Sequence, residues 1–290
     1  MCDDEIHPGA IDYDVAVSRR FFSVAGLAAA SFVGGSAHAA GAVVEKDVDI
    51  KTPDGMADAA LFYPSGKGSW PAVLIWTDIF GLRPAFRDMG KRLAAQGYVV
   101  LVPNPFYRKG RAATLATNLD FSKPDDRAKL MALAGTIGAP NAAESDAPAF
   151  LGFLDSLPQT DKTKKAGVQG YCMGGALSFR AAAALPARIG AVGSFHGGNG
   201  LVTAGPTSPH LLIAKSTASY VVCQAQNDDK AQPTLKDTLK AAFAEAKRPA
   251  SVEVFAADHG WCVPGNAVYN EAEAERAWAE LSALYKKALV

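Results

Sequence analysis

The chain has 290 residues, 49% of them hydrophobic, and its 29 basic residues are balanced by 29 acidic ones. No basic run with interleaved aromatics appears, which argues against nucleic acid as a partner. Past the first forty residues no long apolar segment remains, and no Pro/Ser/Gly-rich linker divides the rest, so residues 40–290 read as one soluble domain with no stable membrane insertion.

The N-terminal stretch has a different character. Ser18-Arg19-Arg20-Phe21-Phe22-Ser23 precedes an apolar run over 24–33, and Ala37-His38-Ala39 supplies the small residues that a signal peptidase requires. Residues 1–39 therefore read as an export signal cut after Ala39. The paired arginines resemble a twin-arginine signal, which implies an exported, periplasmic protein. A spanning helix is the weaker reading, because the apolar run is well short of the ~20 residues needed to cross a bilayer. Cleavage leaves 27 basic against 24 acidic residues and removes Cys2.

Apolar runs predict strands at 48–51, 59–63, 72–76 and 98–102. The third leads into Trp76-Thr77-Asp78-Ile79-Phe80-Gly81-Leu82, whose carboxylate is placed to cap a helix starting near Arg83-Pro84. Arg108, in Phe106-Tyr107-Arg108-Lys109, and Arg127, in Asp125-Asp126-Arg127, read as surface arginines. Residues 110–140 are poorly patterned and read as a mobile cover over a site.

The most informative residues are Gly170-Tyr171-Cys172-Met173-Gly174-Gly175. The stretch 165–169 reads as the end of a short buried strand and 176–185 as an alanine-rich helix, so Cys172 sits at a strand-to-helix elbow. It occupies the place of the serine in a G-x-S-x-G nucleophile elbow, with glycines where strand and helix must approach. A thiol at a helix N-terminus meets the positive end of the dipole, which favours the reactive thiolate. A small buried cysteine in a tight turn is the competing reading.

Further on, the run 218–223 ends in Gln224-Ala225-Gln226-Asn227-Asp228-Asp229, and 251–255 leads to Ala256-Ala257-Asp258-His259-Gly260. Nucleophile, carboxylate and histidine thus follow one another in hydrolase order, each after a strand, at the edge where open α/β sheets hold ligands. In acyl transfer His259 would take the cysteine proton and return one to the leaving group. Asp228, with Asp229 as its competitor, would fix the tautomer. His196 also follows a strand-like run, 189–193, but precedes the carboxylates, so it reads as a loop residue bonded locally, and His210 reads as structural. In the final stretch, 271–289, Trp278, Leu281, Leu284 and Tyr285 recur at helical spacing and read as core packing.

Together these motifs, with Pro233 after the carboxylates and Trp261 after His259-Gly260, resemble the dienelactone hydrolase family, cysteine-dependent members of the α/β-hydrolase fold that cleave esters and open lactones. The resemblance covers most of the chain after residue 45. It implies an α/β fold with a mostly parallel sheet and helices on both faces, an oxyanion hole from the N–H groups of Ile79 and Met173, and a thiol-activating carboxylate at Asp78, where the family usually carries glutamate. It also implies an arginine grip on a substrate carboxylate, but the position four after the histidine is Val263. Arg108 or Arg127 is the available substitute, and the expected substrate is an ester or lactone rather than specifically a dienelactone.

Other readings stay open at this point. Cys172 could capture electrophiles or oxidants on a hydrolase scaffold without turnover, and a peptidase has weaker support because no separate access-restricting domain is present. Cys223 and Cys262 read as buried free thiols. No C-x-x-C or paired-histidine pattern exists, so neither metal nor cofactor is expected.

Overall fold

The computed structural model describes residues 42–115 and 119–289; the export-signal reading of residues 1–39, and Cys2, lie outside the described residues. Eight strands form one sheet: β1 (Val43–Thr52), β2 (Gly55–Pro64), β3 (Ala72–Trp76), β4 (Val99–Pro103), β5 (Ala166–Tyr171), β6 (Ile189–Phe195), β7 (Ser219–Ala225) and β8 (Ala250–Phe255), in the order β1-β2-β4-β3-β5-β6-β7-β8. β1 and β2 form an antiparallel hairpin whose second strand also pairs antiparallel with β4, and every other pairing is parallel. Every residue of β3, β4 and β5 is buried. Strands covered on both faces read as apolar runs, which is how β3 and β4 stand out in the sequence.

The helices are α1 (Pro84–Ala94), α2 (Ala112–Leu115), α3 (Pro124–Gly138), α4 (Ala142–Ser156), α5 (Met173–Ala184), α6 (Pro209–Leu212), α7 (Gln226–Ala231), α8 (Leu235–Glu245) and α9 (Glu271–Ala288). On one face of the sheet Phe150 and Leu154 of α4, Leu177 and Phe179 of α5, and Leu239 and Phe243 of α8 join one core cluster. On the other, Phe86 and Leu93 of α1 pack with Trp278, Leu281 and Tyr285 of α9. The α9 stripe is core packing, as its spacing predicts. Asn270 caps this helix by accepting the Glu273 N–H, at 3.2 Å.

One stretch departs from the sequence reading. Residues 124–138, within the segment read as a poorly patterned cover, form the fifteen-residue helix α3. Pro124 stands in its first turn, followed by Asp125 and Asp126, all favourable at a helix start. Only Leu130 and Ile137 are buried, two turns apart. So narrow an apolar stripe leaves almost no helical periodicity to read.

Candidate active site

The elbow after β5 is built by close approach. A Cβ on Gly170 would run into the carbonyl of Gly174, and one on Gly174 would lie 2.5 Å from the carbonyl oxygen of Trp76 and 2.6 Å from that of Thr77. Only glycines let the strand, the first turn of α5 and the end of β3 meet here. Cys172 caps α5 with φ 54° and ψ −121°, a strained conformation, and remains partly exposed.

Sheet register then assembles the site. β7 and β8 pair through Ala225 and Phe255, so the segments leaving them, Gln226–Ala231 and the loop carrying His259, run on together. His259 Nδ1 lies 2.8 Å from Asp228 Oδ2. Asp229 turns away to Lys236, with N–O distances of 2.7 and 2.8 Å. Cys172 is close enough to interact electrostatically with the same imidazole. Burial opposes a charged imidazole, but the neighbouring Cys172 and the hydrogen-bonded Asp228 carboxylate outweigh burial and hold His259 well above its ordinary pKa.

Three residues that the sequence reading did not assign to the site hold this group in place. Asn227 Oδ1 accepts the N–H of His259 at 2.8 Å and that of Asp228 at 3.0 Å, pinning the acid's helix to the base's loop. Gly198, at φ 53°, lies against Asp228, and a Cβ there would sit 3.2 Å from the carboxylate. Gly198→Ala should therefore lower stability by about 1–2 kcal/mol and, by displacing Asp228, lower kcat about tenfold. Chemical denaturation and steady-state kinetics check both figures, and an unchanged kcat would show that the carboxylate has room to yield.

The third is His196. It is fully buried, and its bonding is not local: Nδ1 accepts the N–H of Cys172 at 3.1 Å, and the backbone N–H of His196 donates to the Cys223 carbonyl at 2.8 Å. Burial, followed by the charge of His259, keeps it well below its ordinary pKa and neutral. His210 keeps a local contact, 2.7 Å from Ser208 Oγ.

Asp78, the carboxylate that the resemblance makes thiol-activating, is engaged by its own loop. Its carboxylate is gripped by Arg83, at 2.6 and 2.8 Å, and accepts the Phe80 N–H at 3.0 Å. These bonds commit both carboxylate oxygens of Asp78 to Arg83. Arg83 also donates to Asn266, which donates to the Gly260 carbonyl at 3.0 Å, tying the loop after β3 to the histidine loop. Ile79 follows Asp78 in the loop that reaches the start of α5. Met173 is the first residue of α5, where a helix N–H has no intrahelical acceptor.

The positions weighed for an anion grip have the following surroundings. Val263 is fully buried. Arg108 is not a solvated surface arginine: it forks Asp146 at 2.8 Å through both terminal nitrogens and reaches Asp54. Arg127 lies over the Phe121 ring, 5.9 Å from its centroid. Cys172, Cys223 and Cys262 are all free, and burial pushes the latter two thiols well above their ordinary range. Among the described residues no helix is long and apolar enough to cross a membrane.

Comparison with known proteins agrees with this architecture. Residues 57–289 match the dienelactone hydrolase family. A Methylorubrum extorquens protein, provisionally named a carboxymethylenebutenolidase, is 30% identical over 149 residues, 51% of this chain and 47% of its own length. A Synechocystis protein with the same provisional name is 26% identical over 253 residues, 83% of this chain and 99% of that one. The crystal structure of a provisionally named dienelactone hydrolase from Klebsiella pneumoniae superposes with a TM-score of 0.72 at 22% identity, covering 85% of this chain and 99% of that one. A mostly parallel sheet with helices on both faces, a strand-to-helix elbow, and a family match across most of the chain lead to one assignment: this α/β-hydrolase-fold protein belongs to the dienelactone hydrolase family and is a hydrolase.

Proposed function

We propose that the chain hydrolyses uncharged carboxylic esters or lactones through a thioester acyl-enzyme, with Cys172 as nucleophile, His259 as base and Asp228 as the acid that orients it. The observation that carries this reading is the 2.8 Å contact between His259 Nδ1 and Asp228 Oδ2, on an imidazole that also interacts with Cys172 at the elbow. His259 Nδ1–H donates to Asp228, so Nε2 is the atom that takes the Cys172 proton. The sulfur adds to the substrate carbonyl, and negative charge develops on its oxygen against the N–H groups of Ile79 and Met173. Collapse breaks the C–O bond, the alkoxide leaves with the proton from His259, and a thioester remains on Cys172. Water, deprotonated by His259, then cleaves the thioester and restores the thiol. Asp78 serves through Arg83, fixing the loop that carries Ile79.

The names of the relatives support an ester or lactone as substrate. The buried Val263 and the committed ion pairs of Arg83 and Arg108 favour a neutral one. The test is a panel of aryl esters and lactones with intact-mass detection of an acyl adduct on Cys172. Within the panel, a neutral ester should exceed the same ester bearing a free carboxylate by at least about tenfold in kcat/KM, roughly the worth of one charged hydrogen bond that the site does not offer. The reverse order would sink the neutral-substrate reading. A single burst without steady turnover on any ester would leave Cys172 a capturing thiol.

A further inference from the structure

Parallel pairing sets Tyr171 of β5 opposite Phe195 of β6, so the residues that leave the sheet next, Cys172 and His196, leave it side by side. Both do so with positive φ, 54° and 38°. That region costs a non-glycine residue of order 1–3 kcal/mol and persists only where the surroundings over-determine it. At Cys172 the restraint is visible: its N–H is shared between the Phe195 carbonyl at 3.0 Å and His196 Nδ1 at 3.1 Å. His196 is anchored in turn by the Cys223 carbonyl, and its buried ring makes T-shaped contacts with His259, centroids 5.0 Å apart, and with Trp261, at 6.2 Å. Nδ1 can accept only when it carries no proton, which places the proton of the neutral ring on Nε2. That atom is buried with no hydrogen-bond partner among the described residues. A buried donor left so costs about 1–3 kcal/mol, so folding stability alone does not explain an imidazole here.

We propose that His196 is a positioning residue of this site: its Nδ1 holds the peptide N–H of the nucleophile and its ring backs His259, so sulfur and imidazole keep their mutual placement through the strained turn. The assignment rests on the reading of Cys172 and His259 as nucleophile and base. Three variants isolate the acceptor. In His196→Asn, Oδ1 takes the place of Nδ1 relative to Cβ, accepts the same bond and tolerates positive φ. His196→Leu keeps apolar volume without an acceptor, and His196→Gly removes the ring while relieving the backbone.

With p-nitrophenyl acetate and the full chain, the Leu and Gly variants are expected to lose about 10- to 100-fold in kcat, the scale of a small misplacement of reacting groups, with KM within about threefold and the Asn variant within about fivefold of wild type in kcat. NMR titration of the His259 imidazole separates positioning from loss of stability. It should fall towards its ordinary value in the Leu and Gly variants, where the sulfur no longer sits against the ring, and stay raised with Asn. Wild-type kcat in the Leu or Gly variant, equal losses with Asn and Leu, or an unmoved His259 titration in the Leu and Gly variants would each overturn the assignment. If the Leu variant does not fold, Gly against Asn carries the same comparison. Cys172→Ala is run alongside: continued turnover there removes the nucleophile reading and this assignment with it. An inactive Cys172→Ala beside a fully active Gly variant removes only the role of His196.

Discussion

Cys172→Ala is expected to lower turnover of an aryl ester by at least about 10,000-fold, because loss of the nucleophile in a catalytic unit leaves only the contributions of binding and the oxyanion site. His259→Ala should cost nearly as much, and combining the two should add little, since they act as one unit. Both variants should fold, because neither removes a core side chain: Cys172 is partly exposed and the His259 side chain retains about a fifth of its surface. Cys172→Ala has a second, independent readout. With the sulfur gone, burial weighs more heavily, and the His259 titration should move down from its raised position. The sign extends to stability. A histidine whose folded pKa is raised contributes stabilisation that is complete below its unfolded value, near 6.5, and that is lost as pH rises through the folded value. Wild type should show that decline on the alkaline side, and Cys172→Ala should show less of it. Turnover that survives Cys172→Ala, measured after intact-mass verification of the variant, would refute the nucleophile assignment.

The second large effect is on stability and lies away from the site. The Asp146 side chain, on α4, is completely buried and accepts from Tyr107 Oη at 2.7 Å and from both terminal nitrogens of Arg108 at 2.8 Å. Thr52 of β1 closes the cluster by donating to Tyr107 Oη, also at 2.8 Å. The cluster thus ties the β-hairpin, the loop after β4 and α4 together. Asp146→Ala leaves a guanidinium and a phenol without their buried acceptor, which should cost about 3–5 kcal/mol and lower Tm by roughly 10 °C. The double replacement Arg108→Met with Asp146→Leu should recover most of the loss, since an apolar pair of similar volume carries no stranded charge. Thermal and urea denaturation check both. A loss below about 1 kcal/mol for Asp146→Ala would mean that the half-exposed Asp54 alone satisfies Arg108. The same pairing commits the Arg108 guanidinium to Asp146 inside the fold.

What the sequence by itself determined follows from short-range physics. Strands buried on both faces appear as unbroken apolar runs, so β3 and β4 were legible, as was the α9 stripe through Trp278, Leu281 and Tyr285. The elbow was legible because a tight βα turn admits only glycine at Gly170 and Gly174, and the order Cys172, Asp228, His259 follows from strand succession. Tertiary structure decided the pairings that spacing cannot encode. Asp228 rather than Asp229 meets His259 because the start of α7 turns one carboxylate inward and gives the other to Lys236. Asp78 meets Arg83 because the loop after β3 folds back within five residues. His196 reaches Cys172 across 24 positions, and Asn227 reaches His259 across 32, because parallel register brings the ends of neighbouring strands together however far apart they lie in the chain. Helix α3 went unread for the opposite reason: two buried residues in fifteen leave no period to detect, and its packing against α4, not its pattern, marks its place in the fold.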